Sequence, residues 1–70
     1  MMSSSFNVGD AVRWNSEAGV IHGTVTKVHL HDVEFMGRQR HCSKDEPQYE
    51  VKSAKTGHLA MHREDALYKE

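Results

Sequence analysis

From Phe6 onward, apolar and polar residues alternate with a period of two, and turn-forming residues interrupt the alternation often. That pattern predicts short strands. After a Gly9-Asp10 turn signal, Val12 and Trp14 alternate with Ala11 and Arg13. Asn15-Ser16-Glu17-Ala18-Gly19 reads as a loop, with Gly19 free to take a positive φ. The stretch from Val20 to Val28 is rich in β-branched residues, and Ile21, Gly23 and Val25 share one face. Val28 falls out of that phase, which predicts a bulge or sharp bend near Thr26-Lys27. Gly23 in mid-strand points the same way, because it permits close approach of another backbone. Val33 and Phe35 form a third run, closed by Met36-Gly37.

Gly37 to Glu46 reads as an exposed, charged loop. Pro47 then opens a clear alternation, with Tyr49 and Val51 on one face and Gln48, Glu50 and Lys52 on the other. Lys55-Thr56-Gly57 marks a hairpin turn, and His58 to Arg63 is the returning strand. Glu64-Asp65-Ala66-Leu67 reads as one helical or 3₁₀ turn that drops Leu67 onto the core. The sum is an all-β domain, a small five-stranded SH3-like or tudor-like antiparallel barrel over residues 6–70 with a short C-terminal helical turn. Residues 1–5 read as a flexible leader. Barrel closure would remove the strand edges that invite aggregation. The expected core is Val8, Val12, part of Trp14, Ile21, Val25, Val33, Phe35, Tyr49, Val51, Ala60 and Leu67.

Composition narrows the class further. Seventy residues suffice for one small domain with a thin core. The chain is 37% hydrophobic and 27% charged, which is not biased enough to read as disordered. Nine Lys and Arg stand against ten Asp and Glu, so a formal charge of −1 supplies no general attraction for nucleic acid. The single Cys excludes an internal disulfide framework and a four-Cys zinc site. No apolar run approaches the ~18–20 residues of a membrane span, and no secretory signal is visible. The expectation is a soluble, cytoplasmic monomer without membrane contact.

Several blocks resemble the hypervirulence-associated protein TUDOR-domain family of bacteria. They are the run from Gly9 to Gly19 with Gly23-Thr24-Val25, the run from Ser43 to Ser53, then Lys55-Thr56-Gly57, His62 and Ala66-Leu67. The similarity spans nearly everything from Val8 to Lys69, and the Pro47-Gln48-Tyr49 and Lys55-Thr56-Gly57 blocks are its specific part. The chain departs from it at Glu64, where the resemblance would place Pro. What it implies is a tudor-like fold and no particular activity. It also implies that Ala60 and His62 face inward, leaving Leu59 and Met61 as an exposed apolar contact surface. Periodicity alone would turn Leu59 and Met61 inward.

Candidate chemistry is sparse. Trp14 precedes the first loop, as a cage tryptophan does in tudor domains that read methylated Lys or Arg, but the matching second position holds His22. With five aromatics in the chain, Trp14, Phe35 and Tyr49 are expected mostly in the core or at its edge. The stretch Arg38-Gln39-Arg40-His41-Cys42-Ser43-Lys44 is locally basic and would support weak nucleic-acid binding, although Asp45-Glu46 follows it directly. Six His include His29-x-His31 and His58-x₃-His62, yet no spacing matches a zinc finger or ribbon. Cys42 beside His41 is not how a nucleophile and base are built, and no carboxylate pair or phosphate-cradling loop occurs. The reading is a non-enzymatic module without cofactor or metal, recognising an unknown protein or peptide. The alternative is a nucleic-acid-binding accessory barrel using residues 38–44. Trp14, Phe35, Tyr49, Arg38 and Arg40 are the candidate binding residues.

Overall fold

The computed structural model describes residues 6–70, so the expected leader lies outside the described residues. Among the described residues seven strands occur in chain order: β1 Ala11–Ser16, β2 Gly19–His29, β3 Val33–Phe35, β4 Arg38–Arg40, β5 Gln48–Ser53, β6 Leu59–Arg63 and β7 Tyr68–Lys69. A 3₁₀ turn, Glu64–Ala66, sits between β6 and β7 and delivers Leu67 to the interior. Five strands form one antiparallel sheet in the order β6-β5-β2-β1-β7, and β3 and β4 form a separate two-stranded arm.

The expected barrel does not close. Among the described residues β6 pairs with β5 alone and β7 with β1 alone, so the sheet keeps two edges. Residues 33–40, which a barrel would need as a stave, pair with each other instead. Arg38–Arg40, expected in an exposed loop, therefore belongs to a strand. The turn that joins it to β3 is Met36-Gly37, both at positive φ (52° and 78°), as a two-residue hairpin connection requires.

The open sheet is nevertheless strongly curled. The bulge foreseen in β2 falls where the register against β5 shifts between Val25 and Lys27, and such a bulge bends a long strand. Strands β1 and β6 are three positions apart, about 14 Å in a flat sheet. Yet the rings of Trp14 and His62 lie 5.6 Å apart across the concave face. Gly23 makes that approach possible: a Cβ there would lie 2.7 Å from Trp14 Cη2 and would also strike the Lys52 carbonyl oxygen.

The concave face holds the core, built from Phe6, Val12, Trp14, Val25, Tyr49, Val51 and Leu67. Phe6 stands edge-on to Tyr49, with ring centroids 5.2 Å apart. It takes the place expected for Val8, which lies in the turn before β1 and is 63% exposed. Val33 and Phe35 are only half-buried because they belong to the arm. Ala60 and His62 are half-buried toward the core and Leu59 is 40% exposed, as the resemblance implied, but Met61 is buried. Met61 pairs with Glu50 on the convex face, where Gln48 is buried too. The segment after β4 lies over that face, since Gln48 Nε2 donates to the His41 carbonyl at 3.2 Å and Cys42 is buried. A second layer that the alternation could not announce thus hides Met61.

Candidate functional site

At one end of the sheet, the β1–β2 turn and the β5–β6 turn flank a groove of about 370 Å³. Its apolar lining comes from Trp14, Val20, Ile21, Leu59 and Ala60. Cross-strand pairing explains the floor: Trp14 faces Ile21 in β1 and β2, and Ala60 lies opposite Val51 in β6 and β5. Trp14 is buried and presents little surface to the groove, whereas Val20 and Leu59 are half-open to solvent. The rim is polar and carries His22, Lys55 and His58, with no carboxylate among the lining residues. His22 Nδ1 hydrogen-bonds the Glu70 carboxylate at 2.8 Å, which leaves Lys55 as the rim cation outside any ion pair among the described residues.

The five residues singled out in the sequence do not meet in one place. Trp14 lies under the groove, and Tyr49 is fully buried in the core, its hydroxyl donating to Glu64 Oε1 at 3.0 Å. Phe35 and Arg38 are cross-strand partners on the arm, and Arg40 pairs with Val33 beside them. Arg38 is exposed, while Arg40 is half-buried with its Nε enclosed and without a hydrogen-bond partner. No aromatic besides Trp14 lines the groove, so a multi-walled cage for a methylated cation is not formed there. Sequence reasoning named Leu59 as a contact residue but missed Val20, Ile21 and Lys55. Their only sequence signal is position, beside two turns that the fold brings together.

The arm is fastened by polar contacts. Asp32 Oδ2 lies 3.3 Å from His41 Nδ1, and Asp32 Oδ1 accepts from the Cys42 backbone N–H at 3.1 Å. The His41 hydrogen bond, then the Cys42 one, holds the Asp32 carboxyl below the ordinary carboxylate value. Burial pushes the Cys42 thiol upward, and the Asp32 charge adds to that shift. A thiol so placed is a poor nucleophile. Burial also pulls His62 below the ordinary histidine value, helped by the positive charge of Arg40. Among the described residues no three His, Cys, Asp or Glu side chains gather as metal ligands would. No helix among the described residues is long and apolar enough to cross a membrane.

A curled antiparallel sheet, a 3₁₀ turn before the last strand and an apolar groove between two hairpin turns define a small all-β domain of tudor type. The family model for the hypervirulence associated proteins TUDOR domain matches residues 9–67, and the chain belongs to that family. No curated protein and no solved structure matches the chain.

Proposed function

We propose that this domain is a non-enzymatic binding module of the bacterial cytoplasm, working as a monomer and without a cofactor, that recognises a protein or peptide segment. The groove over Trp14 supports this reading: it is concave, mainly apolar and edged by a few polar groups, as ligand sites generally are. The exposed Val20 and Leu59 give a ligand apolar surface to cover. A nucleic-acid ligand at residues 38–44 finds less support. Of the two arginines there only Arg38 is fully presented, and the sequence is acidic on balance.

Selection from a displayed random-peptide library tests the reading, with enriched peptides re-measured against Val20→Glu and Leu59→Glu variants. Loss of binding in both variants, at unchanged fold, supports the groove. Oligonucleotide binding that falls steeply with salt, alongside no peptide enrichment, overturns it.

A further inference from the structure

The outer edge of β6 adjoins the groove, because Leu59 and Ala60 line the one and belong to the other. Among the described residues no strand pairs with that edge. Its hydrogen-bonding groups follow from the register. Ser53 N–H donates to the His58 carbonyl at 2.9 Å, so Ser53 and His58 form a hydrogen-bonded pair. In an antiparallel ladder such pairs alternate with pairs whose amides point away from each other. Val51 with Ala60 and Tyr49 with His62 are therefore bonded pairs, whereas Leu59, Met61 and Arg63 turn their N–H and C=O groups outward. Leu59 and Arg63 are exposed and offer those groups as a template for another strand, while Met61 between them is buried and must be uncovered on binding.

The two ends of that template differ in charge. Beside Leu59 lie Lys55 and His58, with no carboxylate in the groove lining. Beside Arg63 lie Asp45, Glu46 and Asp65, which surround a second, acidic cleft. Arg63 itself is drawn to Glu46 at 3.7 Å. A strand lying antiparallel to β6 would begin near the acidic cleft and end at Lys55.

Resting on the groove reading above, we infer that the ligand is an extended peptide segment added antiparallel to the β6 edge. It is basic at its start, carries an apolar side chain into the groove over Trp14, and ends on an acidic residue beside Lys55. Backbone pairing with the exposed Leu59 and Arg63, and with Met61 once it is uncovered, supplies sequence-independent affinity, and the groove and the two charged ends supply selection and orientation.

The test uses end-blocked seven-residue peptides with alternating valine and threonine between the terminal residues. One carries Lys first and Glu last, a second swaps the two charges, and a third is the first with alternate backbone amides N-methylated. Affinity is read by calorimetry and the edge by amide hydrogen exchange. The first peptide is expected to bind about tenfold more tightly than the second. It should also slow exchange at the exposed Leu59 and Arg63, and N-methylation of the amides facing β6 should abolish binding. Lys55→Glu should erase the preference for the first peptide.

Equal binding of the two charged peptides, or binding without protection of the Leu59 and Arg63 amides, overturns the inference and leaves groove recognition standing. A preference for the swapped peptide overturns the proposed orientation. If the Leu59 and Arg63 amides are already protected in peptide-free protein and it sediments as a dimer, a second copy occupies the edge and the inference fails. Failure of all three peptides sinks the strand-addition inference, while the library selection against Val20→Glu and Leu59→Glu decides the groove reading separately.

Discussion

The Tyr49 hydroxyl, on a fully buried side chain, donates to Glu64 Oε1 at 3.0 Å and ties β5 to the 3₁₀ turn. Glu64 stands where the family resemblance would place Pro, and a proline could not accept this bond. The departure thus brings a contact of its own. Tyr49→Phe keeps the ring that packs on Phe6 and removes only the hydroxyl. It should lower stability by about 1.5–3 kcal/mol, the range for a hydrogen bond to a charged acceptor. Urea unfolding checks this, and an unchanged midpoint would show the bond to be idle.

Gly23→Ala should cost about 2–3 kcal/mol, the upper range for overpacking. The added Cβ meets the Lys52 backbone and the Trp14 ring at once, and backbone cannot step aside as a flexible side-chain tip can. Because the ring must also shift, the near-ultraviolet circular dichroism of Trp14 should change with the thermal midpoint. A variant as stable as the parent, with the same spectrum, would contradict the close approach.

What the sequence revealed and what it hid divide along a physical line. Period-two alternation reports one buried face of a strand, and it located β1, β2, β5 and the bulge at Thr26-Lys27. It cannot report a second layer, so Met61, covered on the convex face, escaped it. Nor can it distinguish a closed barrel from a curled sheet, because both bury the same face of each strand. The groove was legible only in part. Trp14 and Leu59 carried signals of their own, but Val20, Ile21 and Lys55 matter through the meeting of two turns distant in sequence.

The His62 shift makes stability depend on pH with a definite sign. Burial, then the Arg40 charge, lowers its value in the folded state, so the unfolded chain protonates first as pH falls. Its contribution is complete above the ordinary value of about 6.5 and is lost as pH drops from there through the lowered folded value. Urea midpoints between about pH 8 and 5 should fall for the parent and fall less for His62→Gln. Parallel curves would show that His62 protonates equally well in both states.

Cys42 should resist alkylation. The thiol is 7% exposed and shifted upward by burial first and the Asp32 charge second, so little thiolate forms near neutral pH and a reagent must wait for local opening. Iodoacetamide should label the native protein at least about tenfold more slowly than the urea-unfolded chain. Asp32→Asn removes one cause of the shift and loosens the arm at His41 and Cys42, so it should speed labelling. Equal rates for native and unfolded protein would mean the segment after β4 does not cover the convex face.

Trp14 decides whether the groove's floor serves stability or binding. Its side chain is buried, packs on His62 and sits above the gap left by Gly23, so emission from the free protein should be blue-shifted. Trp14→Ala should cost about 3–5 kcal/mol, as large-to-small aromatic core changes do. A 70-residue domain at about 0.05–0.15 kcal/mol per residue holds roughly 4–10 kcal/mol in total, so that loss would leave much of the protein near its unfolding limit. Binding is therefore better probed at Val20 and Leu59, which are exposed and contribute little to the core. Red-shifted emission from the free protein, or a Trp14→Ala variant that keeps its melting temperature while losing a peptide ligand, would make the indole an open binding wall. In that case the curled sheet would be held by Phe6, Tyr49 and Val51 without it.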